Sequence, residues 1–519
     1  MSIINCNKTS IPILKNKNIF IMRLQAFNRH VRRTLFLSGS LLASMDGWAA
    51  NGKGAVGTGG STPSDSIQQV DALVASLLEV GLPVLQIETL EHEEPTCDPY
   101  PPPTGCWGFS IQNVNKVKGR VTLTDRTGVL FDSGEYEKTV GGMVIHVRGN
   151  TSARHEKKPF KIKLQKKADM LCRGDSRFND KDWVLLQAPN LNVMEGFWVS
   201  RALGLAYTPS YQPVNVVLNG DFRGLYTLCE SVSRNNSCRI ATDADSGLIV
   251  EYDAYWWKED TYLESSLIRQ PIKYTIKYPD TDELSGNQLA GISSYLLAVE
   301  SSLADGSYPS RISVPSFARW MLAQDILGNA DAAGSNVFFS RYGAQTDDNL
   351  LTMPVLWDFD HIKEEQGWAP IHTYHYFKLL LDSRNTAFRT AFIDKWRELG
   401  TSVFDSLVSS IRDYAASEEG AAFHRSIVLD RERWRYNYIR QLSLDEMVEL
   451  DTDYFKRRGE WLSHAIDSME CALPVRGMTQ EKPTEAMKIS LDGRVSALAG
   501  RGIHVVKFSN GTSRKVLVR

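Results

Sequence analysis

The chain has 519 residues, 42% hydrophobic and 10% aromatic, with 59 Lys and Arg against 61 Asp and Glu for a net charge of −2. This is an ordinary globular composition, and it excludes a largely disordered chain, a collagen-like fibre and a many-span membrane protein. The balance of charge supplies no global basic field, so no nucleic-acid partner is expected.

At the N-terminus, Arg29, Arg32 and Arg33 precede the uncharged run Thr34–Met45, and then comes DGWAA. Gly47 and Ala49 occupy the −3 and −1 positions of a cut after Ala49, which is the pattern of a secretory signal. The apolar run is too short to span a bilayer as a helix. Residues 1–49 are therefore expected to be a signal peptide, with translation starting at Met1 or Met22. The expected destination is secretion or the cell surface, with no transmembrane helix left after cleavage. Loss of Cys6 leaves six cysteines, an even number that suits an oxidising compartment. Cys97 with Cys106, and Cys229 with Cys238, are candidate local disulfides, although spacing alone does not fix the pairing; Cys172 and Cys471 remain. No zinc-finger spacing is present.

Residues 50–78 read as a flexible linker, Gly/Ser-rich over 50–66. A strand-rich region is expected over 79–282. LPVLQIE at 82–88 reads as its first strand, and RVTLTD, GVLFDS and GMVIHV as antiparallel strands. In KKPFKIKLQ (157–165), Phe160, Ile162 and Leu164 face one way, and Lys161, Lys163 and Gln165 the other. Residues 213–230 form two strands around Asn219-Gly220, the strongest short hairpin signal. From 283 to 472 the apolar period becomes helical, at Gln288–Leu303, Ser316–Leu327, Phe377–Leu381, Phe388–Leu399, Ser402–Ala416 and Tyr454–Met469. Residues 473–519 read as a linker followed by a short β tail. Strands first and helices after is α+β segregation, with a cleft between the two parts as the natural ligand site.

Four segments carry candidate chemistry. RGNTS at 148–152 offers Gly149 and small polar neighbours for a phosphate-binding turn with Arg148 as counter-charge, or else a plain strand-to-strand turn. The basic run from Arg154 to Lys167 is a solvated face, a polyanion patch, or a strand whose Lys161 or Lys163 reaches nucleotide phosphates as a kinase lysine does. DAAGSN sets Asp331 and Asn336 five residues apart, the offset of the catalytic Asp and metal-binding Asn of a kinase loop. The usual His-Arg before the Asp is Asn329-Ala330 here. VLWDFD ends an apolar run in Asp358 and Asp360, oxygen ligands suited to Mg²⁺, or a strand-end cap. The hairpin ends in LCESV, placing Glu230 where a kinase hinge would pair with adenine. The order of these segments along the chain is that of a protein kinase.

On these motifs the chain resembles the spore-coat protein H (CotH) kinase-like family, from residue 82 to about 466. RGNTSARHEKKPFKIKL, KDWVLL, TPSYQPVNVVLNGDFRGLYTLCESV, GLIVEYD, NADAAGSNVFFSRY and PVLWDFD carry the resemblance. It implies a two-lobed atypical protein-kinase fold, with a strand-rich N-lobe and a helical C-lobe. It further implies ATP with Mg²⁺ and phosphorylation of Ser or Thr in exported protein substrates. Carried over by position, Asp331 is the base, Asn336 and Asp358 are metal ligands, and Asp360 is the second acid of a WDxD motif. Lys163 is the phosphate-binding lysine, with Lys161 as the alternative, and Arg148, Asn150 and Ser152 form the phosphate loop. Two places depart from the family pattern. VMEGFW puts Glu195 and Gly196 where Arg-Asn is usual, so that a phosphate or loop contact is lost or Glu195 pairs the strand lysine. HIKEEQGW follows WDFD in place of a small turn. The last segment resembles a type IX secretion sorting tail, which implies a Gram-negative outer membrane. Two other readings stand beside a kinase: an inert kinase-like surface or matrix binding protein, and a carbohydrate-associated surface protein using Trp256-Trp257 to stack on sugars.

Overall fold

The computed structural model describes residues 63–106, 108–267, 272–332, 335–345, 349–364, 375–382, 385–435 and 442–471, with three strands of the tail within 485–518. The expected signal peptide lies outside the described residues. Strands and helices are mixed in an α+β fold.

Helix α1 (Pro63–Val80) occupies most of the stretch expected to be linker. The Gly/Ser-rich composition gives out in its first turn, and Leu73, Val74 and Leu77 then fall on one helical face, which packs on Val84 and Val217. Strands β1 (Val84–Thr89), β4 (Val117–Asp125), β6 (Met143–Val147), β7 (Phe160–Ala168), β8 (Asp180–Leu186), β9 (Tyr211–Leu218) and β10 (Asp221–Glu230) close into a barrel in the order β1-β9-β10-β8-β7-β6-β4. Closure comes from β1, which pairs parallel with β9 and antiparallel with β4. β5 (Gly128–Asp132) extends from β4, and β2 (Asp98–Tyr100) and β3 (Ser110–Gln112) form a separate hairpin. Alternation sends Phe160, Ile162 and Leu164 into the barrel interior, a core of its own with Val121, Trp183 and Tyr226.

A second, four-stranded sheet runs β12-β13-β11-β14, from β11 (Leu248–Asp253), β12 (Tyr262–Leu263), β13 (Lys273–Tyr278) and β14 (Val337–Arg341). β14 comes from the region expected to be helical, so the layout is more intermixed than two successive lobes. It pairs with β11, Glu251 standing opposite Phe338. An antiparallel partner for β11 satisfies backbone groups that would otherwise be buried unpaired.

The helices pack beside these sheets. α2 (Asn192–Leu203) and α4 (Val314–Leu327) both end on a glycine in the left-handed region, Gly204 and Gly328. α3 (Gly286–Asp305) starts on a reciprocal capping box between Ser285 and Gln288. α5 (His375–Leu380), α6 (Thr386–Leu399), α7 (Ser402–Ala416), α8 (Glu418–Trp434) and α9 (Leu444–Cys471) follow. α8 docks on the barrel through a buried pair, Lys157 with Asp430, and Asp430 also accepts from the Leu225 N–H at 2.9 Å. Gly224 (φ +97°) makes this approach possible, since a Cβ there would lie 2.1 Å from the Asp430 carboxylate. The tail holds a three-stranded antiparallel sheet, β15 (Glu485–Ser490), β16 (Gly502–Phe508) and β17 (Ser513–Val518).

Cys97, Cys106, Cys172, Cys229 and Cys238 are free thiols, so neither expected local disulfide is formed. Cys229 is buried on β10 among the side chains of the helical core, with its Sγ 3.2 Å from the Glu230 carbonyl. Among the described residues, no helix is long and apolar enough to cross a membrane.

Candidate functional site

A cleft of about 280 Å³ opens between the outer face of the barrel and the four-stranded sheet. Its barrel wall is Arg148, Gly149, Asn150, Lys161 and Val184, with Ser231 and Val232 following β10. Its opposite wall is Glu251 and Asp253 of β11, Tyr255, Lys258 and Glu259 of the next turn, and Lys277 of β13; Asn336, Phe338 and Trp357 complete it.

Gly149 turns the chain directly after β6 at φ +89°, and the Arg148 N–H donates to Pro159 O at 3.0 Å. Arg148 lies over the Trp357 ring, 5.9 Å from its centroid. Burial lowers the Arg148 pKa, while Asp358, Asp360 and Glu251 favour its charge. Asn150 Oδ1 accepts from Ser110 at 2.6 Å and from Lys258 at 3.3 Å. Ser152 sits in the short turn behind, outside the lining of the cleft.

The two lysines of β7 part company. Lys161 lines the cleft and pairs with Asp182 at 2.9 Å. Lys163 stands exposed two residues on, about 7 Å along the strand, and is not part of the lining. Glu230, expected at the hinge, is buried and occupied elsewhere: it accepts from Arg173 at 2.8 Å and from the Ser210 N–H at 2.9 Å. The residues after it, Ser231 and Val232, are the ones that face the cleft.

Beside the cleft two loops come together, of which Asn336 is in the lining and Asp331, Asp358 and Asp360 are outside it. Asn336 Nδ2 donates to Asp358 Oδ2 at 2.8 Å, and the Asn336 N–H donates to Glu251 Oε1 at 3.2 Å. Asn329 Nδ2 donates to the Asp358 carbonyl at 3.1 Å, and the Ala330 N–H to the His361 carbonyl at 3.0 Å, so the two loops brace each other. Asn336 (φ +59°) and Asp358 (φ +70°) both occupy the left-handed region, which Asn and Asp tolerate best after glycine. Asp331 and Asp360 keep exposed surface, yet partial desolvation and then the charge of Asp358 raise the pKa of Asp331 and push Asp360 up to about 6.

Sequence reasoning missed the charges of the second sheet. Lys277 Nζ is 3.1 Å from Glu251, 3.5 Å from Glu259 and 3.8 Å from Asp253. Burial, then Asp253, pushes Glu251 up to about 7 against the pull of Lys277, whose own charge the carboxylates hold. The available signal was in LIVEYD, where two acids interrupt an apolar strand. Glu195 does not pair a β7 lysine; it bonds to Lys363, beyond Asp360. Trp256 and Trp257 are engaged within the protein, Trp256 edge-on to Tyr262 and under Lys273, Trp257 edge-on to Tyr100.

The donor set fits a hard cation. Asp358 offers a carboxylate, Asn336 carries an amide oxygen while its Nδ2 is held by Asp358, and the crowding of Asp358, Asp360 and Asp331 is a field that a cation would relieve. Among the described residues, no three His, Cys, Asp or Glu side chains already converge on one point.

The family described as CotH kinase protein matches residues 145–462, well over half of the chain and a span that includes every residue of the cleft. Comparison with curated proteins finds no match.

Proposed function

The chain belongs to the CotH kinase family, and from that premise we propose that it is an atypical protein kinase, exported by its N-terminal signal, that transfers the γ-phosphoryl group of ATP to Ser or Thr of secreted or surface proteins. The hydrogen bond between Asn336, which lines the cleft, and Asp358 just behind it, which brings the two candidate Mg²⁺ ligands together beside four basic side chains, is the observation that carries this reading.

When bound, Mg-ATP supplies the phosphoryl group and a cation to neutralise its charge. Val184, Val232, Phe338 and Trp357 would hold the base, and Arg148, Lys161, Lys258 and Lys277 would face the phosphates. Asn336 and Asp358 would hold the metal. Asp331 would accept the proton of the attacking hydroxyl, and its raised pKa makes it a better acceptor than an ordinary aspartate. Most of the acceleration then comes from position and charge, which the braced loops supply.

The test is labelled-phosphate transfer alongside Mg-ATP binding on the same purified protein. Asp331→Asn should leave ATP affinity within a few-fold and cut transfer by about 10²-fold or more. Asp358→Ala should lose both. Transfer unchanged in Asp331→Asn removes this residue as the base. A second reading, an inert binding member, is favoured by the carboxylates that already engage Lys277; wild-type protein that binds Mg-ATP but never transfers phosphate, even to itself, would establish it.

A further inference from the structure

The segment that follows Asp358 is held from outside the cleft. Lys363 Nζ donates to Glu195 Oε2 of α2 at 2.6 Å and lies 2.8 Å from Asp451 Oδ2 of α9. The Lys363 side chain is 12% exposed and that of Glu195 fully buried, so neither group is a surface ornament, and removing Lys363 leaves two acids packed together without their cation. One residue along α2, Gly196 admits the ring of Phe359: a Cβ at Gly196 would lie 2.2 Å from that ring. Asn192, at the start of the same helix, donates to the Phe359 carbonyl at 2.9 Å. The neighbour of Asp358 is thus gripped by ring and by backbone. Lys363 itself has φ +62°, as Asp358 has +70°. Such a backbone persists only where its surroundings over-determine it. Glu195-Gly196 and the turn after WDFD, two separate oddities in the sequence, are one contact in space.

We propose that Lys363, anchored by Glu195 and Asp451, is a positioning residue that fixes the turn so that the Asp358 carboxylate stays aimed at Asn336. The inference rests on the reading of Asp358 as a metal ligand. Groups that orient a ligand from behind typically control metal affinity by about 10–100-fold. A structural brace alone would change melting and leave the metal requirement where it was.

The experiment is the Mg²⁺ concentration that half-saturates ATP binding, measured on the full chain beside its melting curve, for wild type, Lys363→Met, Lys363→Arg, Gly196→Ala and Asp358→Ala. Lys363→Met should raise the Mg²⁺ requirement about tenfold or more, and Lys363→Arg should restore it to within a few-fold. Gly196→Ala, which displaces Phe359, should shift it in the same direction. An unchanged requirement in folded Lys363→Met overturns the proposal. So does loss of the cooperative melt in Lys363→Met with an unshifted requirement in Gly196→Ala, because the triad is then an element of stability only. If Asp358→Ala binds Mg-ATP as wild type does, or wild type binds none, the metal reading itself falls, a result distinct from failure of Lys363→Met alone.

Discussion

The barrel interior and the cleft are built on the same strands and have opposite chemistry. On β7, Phe160, Ile162 and Leu164 point into a closed apolar core, while Lys161 points out at the four-stranded sheet. One buried charge pair at the barrel is a closed contact: Lys157 meets Asp430 and the Leu225 carbonyl, with no solvent. In the cleft, charges sit on strands that could have carried apolar residues. Glu251, Asp253 and Lys277 share one wall, and Asp331, Asp358 and Asp360 gather next to Asn336 and Trp357, just outside the lining. Charge that is sealed and paired serves docking. Charge held together at an open wall, where desolvation raises carboxyl pKa values, is an arrangement kept for a ligand.

Three measurements break or sharpen this contrast. The largest effect is expected at the sealed pair. Lys157→Met strands the Asp430 carboxylate and should cost about 3–5 kcal/mol in urea unfolding. Lys157→Met with Asp430→Leu should recover part of that loss, since paired removal is far cheaper than leaving one charge. A single variant as stable as wild type would show that α8 does not depend on the pair.

At the open wall the effect should fall on ligand and not on folding. Lys277→Met should weaken Mg-ATP binding about tenfold or more, the scale of a lost charged hydrogen bond. Its melting temperature should change little, because Glu251, already raised to about 7, can take up a proton when its partner goes. Titration calorimetry with Mg-ATP checks the first claim, and a melting curve the second. Lys163→Met, outside the lining, should bind as wild type does.

The smallest effect is a pH slope. Burial raises the Glu195 carboxyl from 4.5 to about 8, with Lys363 opposing and Asp451 adding to the rise. A carboxyl whose folded pKa lies above its unfolded value favours the folded state fully below about 4.5, and that contribution is lost as pH rises towards about 8. Relative to Glu195→Gln, wild-type stability should therefore decline between those limits. Parallel denaturation curves for the two proteins would remove the assignment.

Much of this was legible locally. The alternation of KKPFKIKLQ gave β7 its two faces, Asn219-Gly220 gave the β9–β10 hairpin, and helical spacing gave α7 over Ser402–Ala416. That Asn336 and Asp358 would stand together was an expectation from the family resemblance and not from spacing within either motif, and the two side chains do hydrogen-bond at 2.8 Å. α8 falls in the region expected to be helical but was not marked out by itself, although Ser417 ahead of two glutamates is a cap signal, and its side chain does accept from the Gly420 N–H at 3.0 Å.

Other features depend on what meets what across long stretches of chain. Barrel closure needs β1 to find both β4 and β9, and β14 finds β11 from far along the sequence. Which β7 lysine lines the cleft was set by where the second sheet lies against the barrel, since Lys161 and Lys163 share a strand face. Glu195 has carboxyl chemistry wherever it sits, but its partnership with Lys363 and Asp451 exists only once α2 and α9 pack around one turn. Periodicity, turn chemistry and motif spacing are written within a few neighbouring residues, so the sequence by itself determined them. Register between distant strands, and the partner of each buried charge, are settled by burying the most apolar surface with every polar group satisfied, and only the packed chain satisfies that condition.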